Sequence, residues 1–309
     1  MQTSDTILMV RPARFQFNLQ TAESNAFQKQ VEGVSDQEIQ QKAQAEFDAF
    51  VQQLREKGVN VIVINDTEEP VKPDAVFPNN WISFHENGLA YLYPMFTPNR
   101  RLERRKEVIE EVRKHFYVRE IRDISGYEDE DKILEGTGSV VFDHRFKVAY
   151  ACTSPRTDKK LFEMYCQQIG YKPISFLALD ENEQEIYHTN VVMCVGEGFS
   201  VICLNSIISG YDRRHVMRML QKNGEIIAIT HEQMAQFAGN MLQVHNAEGK
   251  KYLVMSQTAY NALTPTQVSQ LSQHTEILPV TIPTIETLGG GSARCMMAEV
   301  FCEKKGGSK

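Results

Sequence analysis

The sequence predicts an α/β fold assembled from five repeating units, and three observations carry that reading. Amphipathic helical patterns end near residues 58, 116, 170, 224 and 274, 50 to 58 residues apart, and each is followed by a short apolar strand pattern. An independent series of polar or Gly-rich segments, marked by Asn80, Glu135, His188, Asn240 and Cys295, recurs every 52 to 55 residues. The composition is that of a globular chain, with 42% hydrophobic and 24% charged residues in 309, so a large core can be buried. Periods of this length indicate a repeat or propeller architecture rather than independent domains. Residues 1–309 are accordingly read as one domain of five modules.

The first helix is expected over Asp36 to Lys57. Ser35 and Glu38 make a capping-box pattern, and Ile39, Ala43, Phe47, Phe50, Val51 and Leu54 form its apolar stripe. Gly58 suits the C-terminal cap, and Val59 to Ile64 reads as a buried strand. The second helix spans about Arg100 to Phe116, with Leu102, Ile109, Val112 and Phe116 on one face, and Val118 to Ile121 follows. The third opens at Pro155, a good first-turn residue, and closes at Gly170 before Ile174 to Leu177. The fourth covers Tyr211 to Gly224 before Glu225 to Ile229, and the fifth Thr264 to His274 before Ile277 to Val280. The run Lys304 to Lys309 is expected to be a solvated tail.

Composition also removes whole classes of partner. The net charge is −7 with both signs interspersed, which argues against nucleic acid and anionic membranes. The run Arg101 to Lys114 reads as a charged helix face. The first apolar run, Ile7 to Val10, is too short for a signal peptide, and nothing approaches the ~20 apolar residues of a membrane span. Six well-separated cysteines without a C-x-x-C pair read as reduced thiols in the cytoplasm and give no zinc site.

Glu135, His188 and Cys295 supply a carboxylate, an acid/base and a thiol nucleophile, the ingredients of thiol catalysis. Each alone has an ordinary reading: a turn carboxylate, a hydrogen-bonded core histidine, an inert buried thiol. Their common phase makes the combination informative, because loops at one phase of five modules converge on one axis. Gly289-Gly290-Gly291 lets backbone approach a ligand closely before Cys295, and Arg294 offers a neighbouring positive charge. The order Glu, His, Cys disfavours the papain type, where cysteine precedes histidine.

These motifs resemble the guanidine-modifying (pentein) superfamily, which includes arginine deiminase, dimethylarginine dimethylaminohydrolase, agmatine deiminase, succinylarginine dihydrolase and the glycine amidinotransferases. Leu134-Glu135-Gly136, His188 and Gly289-Gly290-Gly291…Cys295-Met296 carry the resemblance. Arg11-Pro12, Phe77-Pro78-Asn79-Asn80-Trp81, Tyr187 to Met193 and Phe237-Ala238-Gly239-Asn240 resemble the bacterial citrulline-utilisation hydrolase group. The resemblance implies a five-bladed α/β propeller of ββαβ modules around a central active site. It implies that Cys295 attacks an amidino or ureido carbon, that His188 protonates the departing nitrogen and then activates water, and that Glu135 holds a substrate nitrogen. No metal or other cofactor is implied, and the expected partner is a small amino-acid substrate. Arg100 or Arg101 resembles the segment that supplies a carboxylate clamp.

The chain departs from its cationic-substrate relatives at two positions. Deiminases of arginine have an aspartate where this chain has Asn80, and arginine deiminase has another where it has Asn190; succinylarginine dihydrolase has an asparagine at this point. A guanidinium enclosed without carboxylates is costly to desolvate, whereas an amide matches a neutral ureido group. The expectation is therefore citrulline, cleaved to ornithine, ammonia and carbon dioxide through an S-linked intermediate. Glu135 and Asp74 keep arginine open, and the alternatives are an arginine- or methylarginine-deiminase-type hydrolase, transfer to an amine by an amidinotransferase, and a non-enzymatic binding module.

Overall fold

A computed structural model describes residues 1–306. Its strands form five three-stranded sheets with one repeated connection. In the first, β1 (Thr6–Arg11) runs parallel to β2 (Asn60–Asn65), and the helix Asp36–Glu56 crosses between them. Ser35 caps that helix by accepting from the Glu38 amide at 3.3 Å, and the six expected stripe residues are all buried. The remaining strands follow the same rule of an inner strand, an antiparallel middle strand, a helix and a parallel outer strand. They are β3 (Ile82–Phe84), β4 (Leu89–Leu92) and β5 (Glu120–Asp123); then β6 (Val141–Asp143), β7 (Val148–Cys152) and β8 (Lys172–Phe176). Next come β9 (Met193–Val195), β10 (Phe199–Ile202) and β11 (Glu225–Ala228), and β12 (Leu242–His245), β13 (Lys251–Ser256) and β14 (Glu276–Val280). The last inner strand, β15 (Ala298–Glu299), returns to pair antiparallel with β1 through Ile7↔Glu299 and Leu8↔Ala298. One sheet is thus completed from both ends of the chain. The modules are ββαβ units, as expected.

Helix positions follow the sequence reading closely where capping is strong. Asp158 accepts from the Leu161 amide at 2.7 Å and starts Lys159–Ile169, which Gly170 ends at φ 74°. The second helix is the exception. It is broken into Pro98–Arg101 and Lys106–His115, and Leu102, expected on the stripe, lies in the break and is 47% exposed. Arg100 pairs with Glu103, while Arg101 and Arg104 both reach Glu128, Arg101 also donating to Met95 O. At the C-terminus, Lys304 pairs with Asp5 at 2.7 Å and the Lys305 amide donates to His115 O. Residues 307–309 of the expected tail lie outside the described residues. Among the described residues no helix is long and apolar enough to cross a membrane.

Candidate active site

The five marker residues all stand just before an inner strand: Asn80 before β3, Glu135 before β6, His188 before β9, Asn240 before β12 and Cys295 before β15. They therefore meet at one end of the five inner strands. Close approach of the connecting turns depends on small residues. A Cβ at Gly136, which has φ 47°, would lie 2.3 Å from Asn79 O. At Gly138 it would lie 2.5 Å from Asn80 Nδ2 and 2.6 Å from the His188 ring. The first three modules can pack their polar turns together only because these positions lack side chains.

His188 and Glu135 form a buried pair, with Nε2 2.8 Å from Glu135 Oε2. The other Glu135 oxygen accepts from the Phe96 amide at 2.9 Å, and Arg156 Nη1 lies 3.7 Å from Oε2. Burial alone would raise the Glu135 carboxyl, but Arg156 and His188 outweigh it and bring it down to about 2. Burial, only partly opposed by Glu135, lowers His188 to about 4. At neutral pH the pair is therefore a carboxylate and a neutral imidazole. The carboxylate takes the Nε2 hydrogen, which leaves Nδ1 as the free acceptor. Glu135 was expected to hold a substrate nitrogen. It stands behind His188, and its oxygens are engaged by His188, the Phe96 amide and Arg156.

Cys295 is 3% exposed and sits in the short turn Ala293–Met296. Its sulfur accepts from Asn240 Nδ2 at 3.3 Å and Asn190 Nδ2 at 3.5 Å. Gly290, at φ 62°, explains part of the preceding triple glycine: a Cβ there would lie 2.8 Å from the Gln28 backbone nitrogen. Arg294 does not turn its charge toward the sulfur. Its guanidinium bonds Met297 O at 2.8 Å and Glu299 at 2.9 Å.

Cys295 and His188 line a small cavity with Asp74, Asn80, Arg100 and Arg156. Its volume is only ≈ 10 Å³, room for about one water. Asn18 to Lys29 forms a strap over it: Asn25 Nδ2 donates to Gly289 O and Gly290 O, Gln28 to Leu288 O, and the Lys29 amide to Thr287 O. Asp74 Oδ2 accepts from Asn18 at 2.7 Å and Thr21 at 3.3 Å, while buried Oδ1 has no partner among the described residues. Burial raises the Asp74 carboxyl, opposed by nearby Arg100.

Three expected substrate contacts, Arg100, Asn80 and Arg101, have partners within the chain. Arg100 is buried, but Glu103 takes its Nε and Nη2 at 2.8 and 2.9 Å, and Asn80 Oδ1 takes Nη1 at 2.7 Å. Asn80 is thereby committed to Arg100 and, through Nδ2, to Asn79 Oδ1. Arg101 is outside the cavity, half-buried against Met95 O and Glu128. Adjacent helical residues point about 100° apart, so only one of this pair can face inward.

The sequence reading missed Arg156. It is 2% exposed on the cavity wall, and its guanidinium donates to the strap groups Ser24 Oγ at 2.7 Å and Thr21 O at 3.3 Å and lies 3.7 Å from Glu135. It lies between β7 and the helix Lys159–Ile169, off the phase of the markers, so periodicity gave no signal for it.

The fold is similar to that of ArgZ, an arginine dihydrolase from the ornithine-ammonia cycle in cyanobacteria. Identity is 16% and the TM-score 0.74, covering 95% of this chain and 40% of that chain. Against the N-terminal domain of ArgZ bound to substrate the values are 17% and 0.73, covering 96% and 99%. DDAH from Pseudomonas aeruginosa, complexed with citrulline, gives 15% and 0.65 over 96% and 99%. The chain thus spans about 40% of full-length ArgZ and nearly all of the other two, and the shared fold is the five-module pentein propeller. No curated protein matches the sequence. Residues 11–302 match the model of N,N dimethylarginine dimethylhydrolase, eukaryotic, and the chain, with its thiol, imidazole and carboxylate held at one end of five ββαβ modules, belongs to that family.

Proposed function

We propose that this hydrolase of non-peptide C–N bonds cleaves the ureido group of citrulline to give ornithine, ammonia and carbon dioxide. The observation that supports it best is the distribution of charge. Asp74 and Arg156 flank Thr21 of the strap, each 3.3 Å from it; their own ion-pair partners are longer-range, Arg100 at 3.8 Å and Glu135 at 3.7 Å, and together they present one charge of each sign to a zwitterionic α-amino-acid head. Arg100 is neutralised by Glu103. The groups at the sulfur, Asn190 and Asn240, are neutral, as is His188. A ureido group matches the two amides at the sulfur, whereas neither Asn190 nor Asn240 supplies a counter-charge to a guanidinium.

Neutral His188 accepts the Cys295 proton as sulfur attacks the ureido carbon, and Glu135 holds the resulting imidazolium. Collapse breaks the bond to the δ-nitrogen, which takes the proton from His188 and leaves as the ornithine amine. Cys295 then carries a carbamoyl group. His188 next removes a proton from water, the C–S bond breaks, and the released carbamic acid decomposes to ammonia and carbon dioxide. Six free thiols fit a reducing compartment such as the cytoplasm.

A second reading has its own support. The unpartnered Oδ1 of Asp74 would suit a guanidinium N–H and hence arginine. Comparing kcat/KM for citrulline and arginine decides between the two. Ornithine release from citrulline, abolished in Cys295→Ser, is expected; arginine turnover far above that of citrulline would sink the citrulline reading.

A further inference from the structure

Asn240 has no role in the chemistry above, yet it touches three parts of the centre. Its Nδ2 donates to Asn190 O at 2.9 Å and to Cys295 Sγ at 3.3 Å. Its Oδ1 accepts from the Arg294 amide at 3.0 Å. It is fully buried. The backbone partners fix which way the carboxamide faces. An amide N–H can only donate and a carbonyl can only accept, so turning the group over would set donor against donor and acceptor against acceptor. The atom directed at the sulfur is therefore a donor. Asn190, by contrast, leaves its Oδ1 without a partner among the described residues and is not fixed in this way.

The local chain is shaped for this contact. A Cβ at Gly239 would lie 2.2 Å from Val191 O, so only glycine lets this turn press against the segment that follows His188. Asn240 is thus brought to the Asn190 carbonyl by the turn beside it, and it joins the third, fourth and fifth modules at the sulfur.

We propose that Asn240 is a further catalytic residue, whose carboxamide holds the Cys295 sulfur in its attacking position and supplies it with a fixed hydrogen-bond donor. The inference rests on reading Cys295 as the nucleophile. Once His188 takes the thiol proton, the sulfur carries negative charge until attack passes it to the ureido oxygen, and a donor already aimed at the sulfur needs no reorganisation. Loss of one preorganised donor of this kind costs on the order of 100-fold in kcat.

Asn240→Asp tests this with little change of shape. One carboxylate oxygen still accepts from the Arg294 amide, while the other replaces the donor at the sulfur with an acceptor. The expected result is a fall in kcat of ~100-fold or more, KM within about threefold, and a parallel fall in the rate at which iodoacetamide alkylates Cys295, read by peptide mapping. Asn240→Ser, which leaves a smaller side chain with one hydroxyl donor, serves if the aspartate variant fails to fold; it should show the same split less severely. A folded variant with wild-type alkylation rate, or with kcat and KM altered together at unchanged alkylation, overturns the proposal. Alkylation needs no substrate, so the result stands apart from the citrulline assignment, and Cys295→Ser reports separately on the nucleophile.

Discussion

At the scale of single residues, the site works by holding ionisable groups away from their ordinary states. His188 titrates near 4 in the folded protein against an ordinary 6.5, chiefly because burial disfavours the imidazolium. Between those values the unfolded chain binds the extra proton. Its contribution to stability is complete above pH 6.5 and is lost as the pH falls toward 4. Glu135 acts lower, with its contribution present above 4.5 and lost toward 2. Replacing His188 with Asn should remove a slope of up to about 1.4 kcal/mol per pH unit across the upper window. Urea midpoints of variant and wild type at pH 7 and pH 5 measure it. His85 and His144, also lowered by burial, to about 4 and about 3, titrate in both proteins and cancel in the difference. Equal pH slopes in the two proteins would contradict a neutral buried His188.

At the scale of elements, legibility followed repetition. Cys295, His188, Glu135, Asn80 and Asn240 were readable because each precedes an inner strand of a module with the same connection, so a functional position recurs at module length. Asp74 was readable only as a spare carboxylate. Arg156 and the strap were not readable, since they lie off that phase and their contacts cross from residue 156 to residues 21 and 24. Arg100 and Arg101 could not be separated by pattern, because facing inward depends on a helix break that an apolar stripe ending in exposed Leu102 did not reveal. The strap itself carries a prediction. It borders a cavity with room for about one water, and several of its contacts to the site are made by side chains. Binding of an amino acid there is expected to displace it. Hydrogen exchange over residues 18–29 should be faster than in β7 or β13, and should slow when citrulline binds Cys295→Ser. Exchange unchanged by ligand would remove the strap from the binding event.

At the scale of the whole molecule, the site belongs to no single module. Asp74 and Asn80, Glu135, His188 and Asn190, Asn240, and Cys295 arrive on five successive turns, Arg156 joins them from the segment after β7, and the last module depends on β15 reaching back to β1. Damage to that closure should therefore disable chemistry performed by residues far from it in sequence. Leu8 is the place to test this. It is fully buried, stands opposite Ala298 in β15 and Ile62 in β2, and packs in one cluster with Trp81 and Val300. Leu8→Ala deletes buried methyl groups at the seam and should cost about 2–5 kcal/mol. Trp81 is the single tryptophan, 1% exposed and adjacent to Asn80, so its fluorescence reports on the first turn of the site directly. If the ring is one cooperative unit, the urea midpoints for Trp81 fluorescence and for activity fall together in the variant, with unchanged slope. Activity lost at clearly lower urea than the fluorescence change would mean that the fifth turn, with Cys295, melts away from the other four, and that closure through β15 is a local fastening rather than a property of the whole ring.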